Sequence, residues 1–135
     1  MSKLTEYTRY ADAQQHADSR ALWDLFDGDR ERLNIAHECI LRHATSDGRT
    51  AVRIAHADGA DETLSFDTIA AGSARFAHWL EQSGIEPGDR IAFMLEPSLP
   101  FYLSLFGAML RGAISVPLFT LFGLANLVLA RGRLL

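Results

Sequence analysis

The second half of the chain alternates between short apolar segments and segments with helical periodicity. Apolar side chains recur at helical spacing over residues 66–83, and the apolar segment that follows at 90–95 predicts a short buried strand. A second helical pattern covers 99–111, and another apolar segment follows at 113–117. A strand, a helix and a strand with short connections predict a βαβ unit with a right-handed crossover and a parallel sheet.

Residues typical of helix ends bound both helical patterns. Ser65 or Asp67 can accept a hydrogen bond from a free N–H at the start of the first helix, and Gly84 can adopt the left-handed conformation after its end. Ser98 and Gly112 bound the second helix in the same way. The buried face of the first helix is predicted to carry Ile69, Phe76 and Leu80.

The first half predicts shorter elements. Residues 21–26 form a short amphipathic helix in a polar lead, and Asn34 can cap a helix that ends near His43. Residues 50–55 and 63–66 alternate as two strands of a hairpin around a turn at 57–60. The inner face of the helix after Asn34 is predicted to carry Ile35, Ala36, Cys39, Ile40 and His43.

Charge is distributed unevenly along the chain. Residues 1–97 have a net charge of −7, from 10 basic and 17 acidic side chains, whereas 98–135 have only three arginines. Residues 112–130 carry no formal charge and are about long enough to span a bilayer. A buried strand and helix give the same pattern, and the interruptions at Pro117, Gly123 and Asn126 favour that interpretation over a membrane anchor.

Composition narrows the class of protein. The chain has 135 residues, 48% of them hydrophobic, which fits one globular domain, and its net charge of −4 argues against nucleic-acid binding by bulk charge. One cysteine excludes an intramolecular disulfide. The N-terminus has no apolar core of a secretion signal, so a cytoplasmic location is expected.

Candidate catalytic and metal-binding groups are few. His37, Cys39 and His43 suggest a metal cluster, but on a helix His37 points away from the other two, so a core cysteine beside partly exposed histidines is preferred. The acidic stretch from Asp24 to Glu31 lacks the spacing of a calcium loop and predicts a solvated surface. No phosphate-binding glycine motif is present, and Lys3 is the one lysine. No catalytic residue and no metal ligand is therefore assigned.

Three ordered motifs resemble the AMP-forming acyl-CoA synthetases and related adenylating enzymes. Residues 64–66 (LSF) open a helix like the family's L-[TS]-[YF] segment, 84–92 (GIEPGDRIA) resemble its G-[IV]-x-x-G-D-R-V-A turn and strand, and 112–118 (GAISVPL) resemble its next strand. The lead-in at 23–28, 33–36 and 42–43 is similar to the acetyl-CoA-synthetase-like branch.

The resemblance implies an α/β N-terminal subdomain and a ligase that uses ATP, Mg²⁺ and CoA to convert a carboxylate to acyl-CoA, AMP and pyrophosphate. The family's phosphate loop, adenine and ribose motifs, magnesium-binding glutamate and catalytic lysine have no counterpart in this sequence. The one position that transfers is Phe119, where the branch places an aromatic near the adenine of CoA. Thr120 and Leu121 depart from the branch's glycines, and a core aromatic is the alternative.

These observations define the expected organisation. Residues 1–30 form a helical lead, 31–123 part of the synthetase N-terminal subdomain, and 124–135 an apolar tail in which the resemblance is lost. A truncated or frame-shifted ligase fragment, inactive alone and binding no cofactor itself, explains the length; a genuine short relative, a membrane-associated protein and a module docking on a partner chain are the alternatives. Self-association or chaperone binding is expected through apolar surface at Ile91, Phe93, Phe106, Leu118 or Phe119.

Overall fold

The computed structural model describes residues 3–118, which belong to two compact units, Met1–Asn34 and Ile35–Leu135. The first unit contains a 3-10 turn (Leu4–Glu6) and the helices α1 (Tyr10–His16) and α2 (Ser19–Trp23). The side chain of Asp18 caps α2 by accepting a hydrogen bond from the backbone N–H of Ala21 at 2.7 Å.

The predicted helix at 21–26 starts and ends earlier than its apolar pattern suggests. Beyond Trp23 the backbone hydrogen bonds join residues three positions apart, as in a 3-10 helix. Leu25 N–H donates to Leu22 O at 3.2 Å, and Phe26 N–H donates to Trp23 O at 3.1 Å. This tighter turn still brings the rings of Trp23 and Phe26 to 5.7 Å, so the aromatic pair forms without a continuous helix.

The second unit begins with α3 (Ile35–Cys39), which passes into a 3-10 turn at Leu41–His43. Ala36 and Ile40 are buried, as predicted, but Ile35 is 53% exposed and Cys39 is also exposed. The prediction of a core cysteine is therefore wrong. The α-helix has one and a half turns, and the backbone leaves helical geometry at Ile40, so one apolar stripe does not extend across the whole segment.

A hairpin follows, with strands β1 (Thr50–Ala55) and β2 (Asp61–Ser65) in antiparallel pairing. The two strands and the turn lie where the alternation of the sequence predicts them. Ile54 and Leu64 point inward and join Ile40 and Ile69 in one apolar core cluster.

Two long helices pack against each other. The first also contacts the hairpin, and the second contacts a two-stranded sheet described below. These are α4 (Phe66–Gln82) and α5 (Leu99–Arg111). Ser65 caps α4 by accepting from Thr68 N–H at 3.1 Å, Ser98 caps α5, and Gly112 ends α5 with φ +78°, as predicted. The predicted inner face of α4 is confirmed, because Ile69 and Leu80 are buried. Phe76 packs on a second core cluster, which consists of Leu80, Ala108 and Ala113.

Small residues let α4 and α5 approach closely. A side chain at Gly107 of α5 would place its Cβ 2.8 Å from the backbone oxygen of Ser73, and one at Gly72 of α4 would meet the Leu103 side chain at 2.5 Å. Ser73 is fully buried at this crossing.

The strands β3 (Arg90–Phe93) and β4 (Ile114–Pro117) form a parallel pair joined through α5, which confirms the βαβ prediction. The prediction that β3 is buried is wrong, because its side chains alternate between exposed and half-buried. The helices cover one face of this two-stranded sheet, and the described residues leave the other face uncovered.

The exposed apolar surface differs from the one predicted. Among the described candidates, Ile91, Phe93, Phe106 and Leu118 are half-buried, whereas Ile114 on β4 is 47% exposed. Ile91 packs on the core cluster of Leu80, and Phe93 packs on Phe101, because these side chains face α5. Within residues 3–118 no helix is long and apolar enough to cross a membrane.

Candidate functional site

The carboxyl ends of β3 and β4 define the edge at which ligands bind in open α/β sheets. The two strands remain paired up to this edge, where the N–H of Leu118 donates to the carbonyl oxygen of Phe93 at 2.9 Å. Phe119, the residue assigned to the CoA side, follows directly but lies outside the described residues. Its role stays a prediction.

Aromatic rings line the covered side of this edge. Phe93 and Phe101 meet edge to face with ring centroids 5.8 Å apart, and Phe101 and Tyr102 do so at 5.2 Å. Ser98 orients the start of α5 here, because its hydroxyl accepts from Phe101 N–H at 3.4 Å and donates to the Glu96 carbonyl at 2.8 Å. The arrangement is an aromatic wall beside a capped helix end, and these side chains supply no nucleophile poised beside a base.

The three candidate metal ligands, His37, Cys39 and His43, lie in different surroundings. Cys39 is exposed, and His37 is half-buried. The His43 ring packs on Phe66 with centroids 5.3 Å apart, which is a structural contact. Across the described part of the chain, no group of three His, Cys, Asp or Glu side chains could hold a metal ion.

The acidic stretch is a solvated turn, as predicted. One carboxylate oxygen of Asp29 accepts from the N–H groups of Glu31 at 2.9 Å and Arg32 at 2.8 Å. Beside it an open cleft of about 690 Å³ is lined by Trp23, Phe26 and the acidic turn. The Arg30 guanidinium lies 5.8 Å from the Trp23 ring centroid, so the cation already has a partner.

Two carboxylates have roles that the sequence did not reveal. Asp67, considered only as an alternative helix cap, instead holds the preceding loop: its oxygens accept from Ser46 N–H at 2.8 Å and Gly48 N–H at 3.2 Å. Glu38 is buried and pairs with Arg42 one helical turn later. The four-residue spacing of that pair was available in the sequence, but the burial of Glu38 was not.

Asp47 belongs to the same loop. The N–H of Arg49 donates to this carboxylate at 3.0 Å. This backbone hydrogen bond, with a second from the Thr45 side chain, lowers the pKa of Asp47 below its ordinary value of 3.8. The group is fully exposed, so its effect is local ordering of the loop.

Residues 35–118 have the geometry of a small α/β subdomain, and the comparisons with known proteins identify its class. The AMP-binding enzyme family model matches residues 42–130. The chain therefore belongs to the AMP-binding enzyme family. The match starts within the predicted synthetase segment and extends seven residues beyond its predicted end at 123.

The individual relatives are acyl-activating ligases. The chain is 36% identical over 93 residues to acetyl-coenzyme A synthetase of Bacillus subtilis (strain 168), covering 67% of this chain and 16% of that protein. Against the crystal structure of Brucella canis acyl-CoA synthetase the TM-score is 0.73 with 31% identity, over 88% of this chain and 22% of that one. A fatty acid AMP ligase from Legionella pneumophila, at 20% identity and a TM-score of 0.55, shares the fold.

The chain spans a small part of each of these relatives. It spans about a sixth of the Bacillus subtilis relative and about a fifth of the Brucella canis chain. Its α/β architecture matches the N-terminal subdomain of adenylate-forming enzymes, and it corresponds to a fragment of an acyl-CoA synthetase or AMP ligase.

Proposed function

We propose that this chain supplies the N-terminal structural part of an AMP-forming acid–CoA ligase and does not activate a carboxylate by itself. The family reaction converts a carboxylate, ATP and CoA to acyl-CoA, AMP and pyrophosphate. The observation that carries the proposal is the match to Brucella canis acyl-CoA synthetase over 88% of this chain but 22% of that one. A cytoplasmic location is part of the proposal, because ATP and CoA are cytoplasmic substrates.

The chemistry of adenylation supports the inactivity of the chain alone. The transition state concentrates negative charge on the phosphates, which a phosphate loop, a cation and a lysine must stabilise. The sequence has one lysine, Lys3, in the N-terminal unit, and no glycine-rich phosphate motif. ATP, Mg²⁺ and CoA are accordingly ligands of the complete ligase in this proposal.

The direct test is carboxylate-dependent exchange between ATP and pyrophosphate. The purified chain is incubated with ATP, Mg²⁺, labelled pyrophosphate and either acetate or a long-chain fatty acid, and the Bacillus subtilis enzyme serves as positive control. We expect exchange no greater than that of an empty preparation. Exchange above that background with either acid would contradict the proposal.

A chimera tests the positive part of the proposal. Residues 35–118 replace the matching segment of Bacillus subtilis acetyl-coenzyme A synthetase, and acetate-dependent exchange is measured. If the segment performs the same structural role, the chimera keeps measurable exchange, because α4, α5 and the βαβ unit recreate the subdomain. A folded but inactive chimera would refute the structural equivalence.

Phe119 can be tested in an extended chimera that includes residues 35–123. Phe119→Ala is expected to raise the KM for CoA about tenfold, since stacking of an aromatic on a base contributes roughly 1–3 kcal/mol. Acetate-dependent exchange, which does not need CoA, should be unchanged. Phe122→Ala is the matched control. Equal effects of the two substitutions would assign Phe119 to the core instead.

A further inference from the structure

The sequence contains three Asp–Gly pairs, at 27–28, 47–48 and 58–59. An aspartate before glycine can isomerise, because glycine has no side chain to hinder its backbone nitrogen when that nitrogen attacks the neighbouring carboxyl carbon. The three glycines differ in the space around them. A Cβ at Gly28 would lie 2.4 Å from the Arg32 carbonyl oxygen, whereas a Cβ at the glycine of either other pair would meet nothing within 4 Å. The second and third pairs therefore have room for the reaction.

These two open pairs share one local conformation. Asp47 accepts a hydrogen bond at 3.0 Å from the N–H of Arg49, and Asp58 accepts one at 3.0 Å from the N–H of Ala60. The intervening glycine has φ +69° in the pair at Asp47 and +87° in the pair at Asp58. Each carboxyl group is folded over the backbone of the glycine that follows it, as in an Asx turn. The local conformation alone therefore does not distinguish the two pairs.

The surroundings of the pair at Asp47 oppose the reaction. Asp67 of α4 accepts from Ser46 N–H at 2.8 Å and from Gly48 N–H at 3.2 Å, so the attacking nitrogen is bound to a carboxylate. Attack requires loss of the proton on this nitrogen, which the negative charge of Asp67 disfavours. The backbone hydrogen bond from Arg49 also lowers the pKa of Asp47, and an ionised carboxylate is a poorer electrophile than a carboxylic acid.

The pair at 58–59 lies at the tip of the β1–β2 hairpin. Gly59 N–H donates to the His56 carbonyl oxygen at 3.0 Å, and His56 N–H donates to the Ala60 carbonyl oxygen at 2.8 Å. The acceptor of the attacking nitrogen is therefore a neutral carbonyl. Residues 56–60 are all exposed, and both hydrogen bonds join residues of the same turn, so the tip can open by local fraying.

We propose that Asp58 is a site of spontaneous isoaspartate formation and that Asp67 suppresses the same reaction at Asp47. The Gly59 nitrogen bonds to Cγ of Asp58, and the carboxyl hydroxyl leaves with the N–H proton as water, which closes a succinimide ring. Water then adds to one of the two ring carbonyls. Addition at the former backbone carbonyl breaks its bond to nitrogen, so that the chain passes through Cγ and carries a free α-carboxylate. Addition at Cγ restores aspartate.

The product would alter the hairpin. Isoaspartate adds one methylene carbon to the backbone between β1 and β2, which disturbs the register that pairs Ala55 with Asp61. That register directs Ile54 and Leu64 into the core, so isomerisation is expected to lower the free energy of unfolding. The new α-carboxylate is the group that isoaspartyl carboxyl methyltransferases modify with S-adenosylmethionine, and this defines the class of enzyme that would recognise the modified chain.

The test follows isoaspartate in the full 135-residue chain during incubation at neutral pH. Trypsin places the three Asp–Gly pairs in separate peptides, 21–30, 43–49 and 54–75. Isoaspartate in each peptide is measured by enzymatic methyl transfer from labelled S-adenosylmethionine and located by fragmentation mass spectrometry. We expect peptide 54–75 to accumulate isoaspartate about tenfold faster than 43–49, which corresponds to about 1.4 kcal/mol in the barrier.

The same chain unfolded in guanidinium chloride supplies the rates without structure. There the difference between peptides 54–75 and 43–49 is expected to disappear, since both pairs then lose their hydrogen bonds. Equal rates in the folded chain, or the same ratio in the folded and unfolded chains, would overturn the proposal.

Substitutions of Asp67 test the protection. Asp67→Ala should raise the rate in peptide 43–49 towards that in 54–75 and leave the rate in 54–75 unchanged. Asp67→Asn keeps one acceptor oxygen without the charge and should give an intermediate rate in 43–49. Far-UV circular dichroism checks that both variants fold, and Asp67→Asn alone is used if Asp67→Ala does not. An unchanged rate in 43–49, or an equal rise in both peptides, would refute the role of Asp67.

A substitution at the hairpin tip tests the assignment to Asp58. Asp58→Ser keeps a side-chain acceptor that suits a turn but has no carboxyl carbon for the glycine nitrogen to attack. Isoaspartate in peptide 54–75 is expected to vanish in this variant, while the rate in 43–49 stays the same. Isoaspartate that persists in 54–75 would place the modification at Asp61 or Asp67 and would overturn the proposal.

Discussion

Gly107→Ala is predicted to destabilise the second unit, although alanine is the better helix former. A Cβ at Gly107 would lie 2.8 Å from the Ser73 carbonyl oxygen, 2.8 Å from Phe76 Cδ1 and 3.0 Å from Phe76 Cβ. Favourable carbon contacts lie near 3.5–4.0 Å, so α4 and α5 would have to separate by about 0.7 Å. The backbone oxygen cannot rotate away as a side chain could.

The magnitude follows from two opposing effects. Overpacking of a close-packed site costs roughly 1–3 kcal/mol, and replacing a mid-helix glycine by alanine recovers about 0.5–1 kcal/mol. The expected net loss in the free energy of unfolding is about 1–2 kcal/mol. In a domain of this size each kcal/mol lowers the Tm by roughly 4–8 °C, which thermal and urea denaturation followed by circular dichroism resolves.

Gly72→Ala is the matched control at the same helix crossing. Its Cβ would meet the Leu103 side chain, whose closest atom is a terminal methyl at 2.5 Å. Turning the Leu103 side chain about 30° away from its rotamer costs about 0.5–1.5 kcal/mol, which the gain in helix propensity offsets. We expect little net change. The reasoning fails if Gly107→Ala is as stable as the parent, or if Gly72→Ala loses as much as Gly107→Ala.

Three further predictions concern single polar groups. Ser73→Ala should keep or raise the free energy of unfolding by about 1 kcal/mol, because the buried hydroxyl has no hydrogen-bond partner among the described residues; a clear loss in urea denaturation would contradict this. Asp67→Ala should lower the free energy of unfolding by about 1–2 kcal/mol, because the N–H groups of Ser46 and Gly48 lose their acceptor. Asp67→Asn keeps one acceptor oxygen and should lower it less. Equal losses in the two variants would show that Asp67 does not hold the loop through both hydrogen bonds. Because its pKa is lowered on folding, Asp47 should contribute stability that is present above about pH 4 and is lost as the pH falls through the lowered value, and this pH dependence should vanish in Asp47→Asn; a carboxyl titration by NMR at or above 3.8 would refute it.

Much of the fold could be predicted because its boundaries are set by local chemistry. Ser65 and Ser98 accept hydrogen bonds within their own first helical turns, and Gly84 and Gly112 adopt positive φ just beyond the last turns. Such contacts involve residues three or four positions apart, so the sequence contains both partners. The hairpin and the parallel pair follow from alternation and from the short connections around α5.

Burial that depends on distant segments was less predictable. Cys39 and Ile35 fit an apolar stripe in the sequence, yet both are exposed, because α3 is short and changes to a 3-10 turn. The loop-holding role of Asp67 joins residues about twenty positions apart, which no local pattern encodes. The candidate site was limited in the same way: the motifs identify the strands that lead to it, whereas Phe119 lies outside the described residues.

The uncovered sheet face explains why the prediction of a buried β3 was wrong, and it agrees with the proposed function. The apolar residues of β3 and β4 predict strands covered on both sides, and the structure provides α5 on one side. Sequence and structure agree if these strands evolved within a larger sheet, and the small share of each relative that the chain spans supports that origin. By contrast, the crossing of α4 and α5 is packed closely enough to require glycine at position 107. Within residues 3–118 the helical layer is therefore closely packed, whereas the parallel sheet has two strands and leaves Ile114 exposed.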